Sequence, residues 1–246
     1  MAANDERSLA DLVRRCEQMQ TARGFRDRLA MDAPQAIAVI SEIKRKSPSK
    51  GLLRADLDPQ FLADAYQAGG ASCLSVLTDE DFFAGSIEDL QIATAACTLP
   101  VLRKDFTVSA HDVCDTRLMG ADCVLLIAAA LDPHELKDLH HLATSNGLVF
   151  LVEIHDEAEL EVALSAGALL IGVNQRDLVT FEVDHQRALR MAGLIPSGVL
   201  RVAESGVRGP ADALALHQAG YHAVLVGESL VTADDPAGAV RALRNL

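Results

Sequence analysis

Eight apolar runs of strand length, each followed by a segment of helix length, constrain the fold of this chain more than any other feature of its sequence. The runs lie at 37–43, 73–77, 100–103, 123–127, 149–154, 169–173, 199–203 and 223–226. Most are continuously apolar instead of alternating, as expected of parallel strands covered by helices on one face and by a core on the other. The intervening segments, for example 59–68, 110–119, 133–144, 157–165 and 210–219, carry helical spacing. Eight β-then-α units predict an α/β fold of the (β/α)8 TIM-barrel type. Small-residue turns close several helical segments just before a strand, at Gly69-Gly70, Gly120, Gly167 and Gly220. A glycine there supplies the left-handed cap that turns the chain back toward the sheet.

The 246 residues suit one barrel domain spanning 1–246, since barrels of about 250 residues form single domains. The first 35 residues exceed what a minimal barrel needs. The stretch from Ser8 to Met31 is helical in character, with Leu9, Leu12 and Val13 on one face, and it suits either a cap over the barrel's bottom or a border to its mouth.

Charge narrows the range of partners. With 35 acidic against 22 basic residues the net charge is −13, which repels nucleic acid and anionic lipid surfaces. No apolar run reaches the roughly 18 residues of a membrane span, and residues 1–15 have no signal-peptide core. The expected partner is a small molecule and the expected location is the cytoplasm. Five cysteines without a C-x-x-C pair read as thiols of a reducing compartment. Eight histidines show no H-x-H or H-E-x-x-H spacing, so surface or capping roles are expected and no metal site.

Chemistry in such a barrel lies at the carboxyl ends of the strands, and here those ends are polar. The first strand runs into Glu42-Ile43-Lys44-Arg45-Lys46-Ser47-Pro48-Ser49-Lys50-Gly51. Alternation puts Glu42 and Lys44 on the interior side together, where they read either as an internal ion pair that neutralises itself or as working groups. Lys104 and Glu153 occupy the corresponding ends of the third and fifth runs, Asn174 and Arg176 follow the sixth, and Glu204 follows the seventh. So many buried charges cost free energy unless they are paired or used. Ser205-Gly206-Val207 and Gly227-Glu228-Ser229 then form two glycine turns after the last two strands, the usual phosphate position of this fold, with Ser47 and Ser49 as further donors. Glu228 is expected to offer its backbone N–H while its carboxylate turns away. The stretch 44–54 is the candidate lid.

The motifs S-E-I-K-R-K-S-P-S-K-G (41–51), P-V-L-R-K-D-F (100–106), L-V-E-I-H-D-E-A-E-L (151–160), I-G-V-N-Q-R-D-L (171–178), A-E-S-G-V (203–207) and V-G-E-S-L (226–230) resemble the indole-3-glycerol phosphate synthase family, in order and over nearly the whole chain. The resemblance implies a carboxy-lyase of tryptophan biosynthesis. Its substrate would be 1-(o-carboxyphenylamino)-1-deoxyribulose 5-phosphate, and its chemistry acid–base without a cofactor. It also implies roles. Lys104 protonates the ribulose carbonyl during ring closure; Lys44 and Glu153 serve as acid and base of the dehydration; Glu42 orients and tunes Lys104. Asn174, Arg176, Ser205 and Glu204 bind the substrate, and Ser47, Gly206, Gly227 and Glu228 its phosphate. Two lysines in one mouth are expected to lower each other's pKa.

Two other readings fit parts of the pattern. Another sugar-phosphate barrel, such as a phosphoribosyl isomerase or a tryptophan synthase α-type lyase, would share the phosphate turns, but it has no need of E-x-K-x-K-S-P-S together with Lys104 and Glu153. A non-catalytic metabolite binder or pathway scaffold would carry degraded acid–base positions, and here each is filled. A pathway-enzyme partner stays open.

Overall fold

A computed structural model describes residues 6–245. The eight strands of its barrel are β1 (Ala38–Ile43), β2 (Cys73–Leu77), β3 (Val101–Lys104), β4 (Cys123–Ile127), β5 (Val149–Ile154), β6 (Leu170–Asn174), β7 (Leu200–Glu204) and β8 (Ala223–Val226). All pair in parallel, each with its sequence neighbours, and β1 closes the ring on β8 through Ala38↔Ala223 to Ser41↔Val226. The expected TIM barrel is the observed one, with strand boundaries within about a residue of the apolar runs. Helices lie between strands on the outside, among them Pro59–Ala68, Ile87–Ala96, Ala110–Leu118, Pro133–Ser145 and Glu157–Ser165. The turn glycines Gly70, Gly120, Gly167 and Gly220 adopt φ of 87°, 94°, 90° and 95°, a region that side chains with a Cβ disfavour.

The period of two along each strand sorts residues into layers. Ala38 and Ile40, Cys73, Leu102, Cys123 and Leu125, Leu151, Leu170, Val202, and Ala223 and Leu225 fill the barrel interior. Residues between them, such as Val39, Val76, Val124, Val152, Ile171 and Val224, join the larger core under the helices. Continuing the inward phase one step past the apolar layers reaches Glu42, Lys104, Glu153, Gly172, Glu204 and Gly227, with Asn174 one step further on β6. The carboxyl-end layer of the barrel is therefore polar by the same periodicity that makes the lower layers apolar.

The amino-terminal segment forms two helices, α1 (Leu9–Glu17) and α2 (Phe25–Asp32), where the sequence suggested one stretch. On α2, Phe25 and Leu29 are fully buried and insert among the interior residues at the strands' amino ends. On α1, Leu12 and Cys16 pack against Cys114 of the outer helix Ala110–Leu118. Arg23 locks the connection between them, with its backbone N–H and its Nε donating to Asp122 at 2.6 and 2.9 Å. The segment is thus a plug at the end opposite the mouth. Residues 1–5 of the expected extension lie outside the described part of the chain. Among the described residues, no helix is long and apolar enough to cross a membrane.

Candidate active site

At the carboxyl end of the strands lies a cavity of about 600 Å³. Every residue that the sequence nominated borders it: Glu42, Lys44, Ser47, Lys104, Glu153, Asn174, Arg176, Glu204, Ser205, Gly206, Gly227 and Glu228. Leu125, Ile127 and Leu225 contribute an apolar floor, and Phe83 and Phe106 an aromatic wall beyond β2 and β3. In a ring of eight consecutive strands β3 faces β7, so the wall stands across the mouth from Ser205 and Gly206.

The centre of the site is Lys104. Its Nζ donates to Glu153 Oε2 at 2.6 Å and to Glu204 Oε2 at 2.7 Å, with both carboxylates almost wholly buried. Glu153 is held again through Oε1, which accepts from Asn174 Nδ2 at 3.0 Å. Glu42 binds Lys44 directly and takes a longer contact, 3.4 Å, from Ser75 Oγ. Glu42 is thus the ion-pair partner of Lys44; its charge also acts on Lys104, whose direct hydrogen-bond partners are Glu153 and Glu204. Glu204, nominated as a substrate contact, is also one of the two anchors of the central lysine.

For Lys104 these contacts give the opposite of the expected lowering of its pKa. Burial does act to lower that of Lys104, but the charges of Glu153, Glu204 and Glu42 outweigh it and raise the ammonium above the usual lysine range. Burial likewise pushes Glu204 up, helped by the neighbouring Glu153 charge, to about 7. Burial also acts to raise Glu153, but the Lys104 charge and hydrogen bond prevail and hold it below the ordinary glutamate value. Two carboxylates on one ammonium are thus pushed apart, one remaining ionised and the other titrating near neutrality.

Gly172 explains how this fits. It occupies an inward position on β6, and a Cβ there would fall on Glu204 Oε1. The isolated glycine inside the I-G-V-N run marks this close approach, a sign that strand periodicity alone passes over. Gly227 plays the same part on β8, where a Cβ would press on the carboxylate of Glu42 and come within 3.2 Å of Lys44 Nζ.

Ser205 and Gly206 are both left-handed, at φ of 63° and 74°. The Ser205 carbonyl is fixed by Gln175 Nε2 at 2.8 Å, and Ser229 Oγ donates to the Val207 carbonyl at 3.3 Å, tying the two glycine turns together. Glu228 begins a single helical turn, Glu228–Val231, and its half-exposed carboxylate lies 3.8 Å from Lys50 Nζ. Arg176 orders its own loop, its guanidinium donating to the Phe181 carbonyl at 2.8 Å.

The candidate lid is a small hairpin in which Lys46–Ser47 pairs antiparallel with Gly51–Leu52. Its root is fixed by Arg45, which donates to Asp89 Oδ1 at 2.9 Å and accepts from the Leu53 N–H at 2.7 Å. Asp89 on the helix Ile87–Ala96 and the histidine His155 were not singled out from the sequence. His155, expected in a surface or capping role, lies largely buried beside Glu153.

A (β/α)8 barrel whose mouth gathers the ammoniums of Lys44 and Lys104, the buried carboxylates of Glu42, Glu153 and Glu204, the amide of Asn174 and paired glycine turns defines an acid–base enzyme of small metabolites. The comparisons with known proteins make the assignment particular. The sequence model of the family described as indole-3-glycerol phosphate synthase matches residues 1–243. Two relatives of that name, from Polaromonas naphthalenivorans and a Parafrankia species, are 52% identical over 84% of this chain and 78% of theirs, and 50% identical over 94% and 85%. The chain belongs to the indole-3-glycerol phosphate synthase family. Among solved structures, an N-acetylmannosamine-6-phosphate 2-epimerase from Clostridium perfringens matches with a TM-score of 0.62 at 14% identity, covering 80% of this chain and 89% of that one. A thiamine phosphate pyrophosphorylase from Pyrococcus furiosus matches with 0.64 at 14%, covering 86% and 95%. At that identity they share the barrel alone.

Proposed function

We propose that this chain converts 1-(o-carboxyphenylamino)-1-deoxyribulose 5-phosphate to indole-3-glycerol phosphate, carbon dioxide and water, with Lys104 as the acid of ring closure. The observation that carries the assignment of roles is the ammonium of Lys104 held at 2.6 and 2.7 Å by two buried carboxylates at the cavity floor. A lysine so placed keeps its proton across the physiological range until a stronger base forms beside it. The oxygen of the ribulose ketone becomes such a base as the aryl carbon attacks, and the fixed positive charge stabilises it. Loss of carbon dioxide restores aromaticity.

Dehydration then needs an acid for the leaving hydroxyl and a base for the departing proton. Lys44, at the next inward position above Glu42, supplies the first, and ionised Glu153 the second. Glu42 holds Lys44, while Asn174, Arg176, Ser205 and Glu204 bind the substrate. Phe83 and Phe106 offer the aryl ring a matching wall. The opposite end, with Ser47 and the backbone at Gly206, Gly227 and Glu228, takes the phosphate; there the Glu228 carboxylate engages Lys50 and leaves its N–H to the anion. One C–C bond forms, carbon dioxide and water leave and protons are shuttled with no net change of oxidation level, so no electron carrier enters. Small anionic substrate, net negative surface and family together support a soluble cytoplasmic enzyme that binds neither nucleic acid nor membrane.

The test is the fluorescence time course of indole-3-glycerol phosphate formation, with wild type and Lys104→Ala side by side. Wild type should turn over, and the variant should lose about 10² to 10⁴ in rate, the usual contribution of one acid–base group. A folded wild type without turnover would overturn the reading.

A further inference from the structure

His155 lies in the bend just past the end of β5, two residues beyond Glu153, and its ring packs back toward that carboxylate. One oxygen of Glu159, Oε2, accepts from the His155 backbone N–H at 2.7 Å and meets ring Nδ1 at 3.1 Å. An ionised carboxylate in that place can only accept, so Nδ1 carries a proton. Nε2, buried and without a hydrogen-bond partner, lies 3.8 Å from Glu153 Oε1. If bare, it would set a lone pair against a buried carboxylate, which is costly; if protonated, it sets a positive N–H there instead.

We propose that His155, anchored by Glu159, is a positioning residue that presents an imidazolium to Oε1 of Glu153 and so keeps the base ionised and aimed into the cavity. It acts beside Asn174, which donates to the same oxygen, while Lys104 holds the other. The charges facing the ring are Glu153 from its own strand, Glu159 from the helix Glu157–Ser165, and Arg187 from the short helix Arg187–Met191. Burial and Arg187 oppose protonation, while the Glu159 hydrogen bond and the two carboxylate charges favour it and prevail. His155 does not border the cavity and needs no contact with substrate.

This inference rests on Glu153 being the base, so the experiment treats the two separately. Turnover is measured against pH for wild type, Glu153→Gln, His155→Asn and Glu159→Gln. Glu153→Gln should abolish turnover; if it does not, the base assignment fails. With that established, His155→Asn should lower kcat with KM within about twofold and move the acid limb of kcat up by about one pH unit, since an opposite charge within about 4–6 Å depresses a carboxylate by about 1–3 units. Glu159→Gln should move the limb the same way by less. A His155→Asn limb superimposed on wild type overturns the proposal. A second measurement needs no change at His155: its ring titration, followed by nuclear magnetic resonance, should shift to lower pH in Glu153→Gln. An unchanged midpoint would equally overturn it.

Discussion

Lys104 stands among more negative charge than it can neutralise, and the excess settles on Glu204. Its carboxyl, pushed up to about 7 by burial and by Glu153, keeps a proton in the folded protein at pH values where an unfolded chain has lost it. A raised carboxyl stabilises the fold below the ordinary glutamate value and loses that contribution as pH rises through the folded one. Glu204→Gln should therefore melt close to wild type at pH 5 and higher than wild type at pH 8, by at most about 3 kcal/mol for a shift of this size. Calorimetry at the two pH values checks the sign, and the same variant should turn over more slowly because Lys104 loses an anchor. A second consequence concerns binding. An anionic ligand entering beside Glu204 favours its neutral form, so association at pH 8 should take up protons, visible as a binding enthalpy that depends on the ionisation heat of the buffer. Proton release would contradict the assignment of charge.

At the level of strands, the site depends on two inward positions that hold no side chain. Gly172→Ala should leave the sheet intact by circular dichroism, because β6 is otherwise unstrained, while driving the Glu204 carboxylate off Lys104. A misplacement of about 1 Å at reacting groups costs up to about 10²-fold, and a loss of that order in kcat is expected. What the sequence disclosed follows the same division. Runs such as 123–127 and 223–226 are apolar throughout and bounded by turn residues, so their strand identity and their register of inward positions were legible, and with them the membership of Glu42, Lys104, Glu153 and Glu204 in one layer. Who pairs with whom was not, because that depends on how neighbouring strands are staggered around the ring. Within one strand the Glu42–Lys44 pair could be read, whereas the two partners of Lys104 across the ring could not. The hairpin of Lys46–Ser47 with Gly51–Leu52 escaped notice because two-residue strands carry no periodicity, and Asp89 because its partner Arg45 is 44 positions away. His155 was passed over because a lone histidine in sequence says nothing of the carboxylates that fold around it.

For the molecule as a whole, the plug and the mouth lie at opposite ends of the barrel and should be separable. Phe25, wholly buried among the lowest interior side chains, can be cut to alanine at a cost of about 3–5 kcal/mol. In a chain of this size that corresponds to a fall in Tm of roughly 6–20 °C. Activity per folded molecule at low temperature should be unchanged, since apolar interior layers separate α2 from the polar residues of the mouth; a parallel loss of kcat would show that the two ends are coupled. The ring itself sets a condition on how the chain comes into being. A ribosome delivers β1 early, yet its second neighbour β8 emerges only after residue 223. Until then the nascent half-barrel carries two open edges and a plug with nothing complete to seal, the kind of surface on which chains adhere to one another. A stop codon before β8 would thus release not a weakened enzyme but an aggregation-prone fragment.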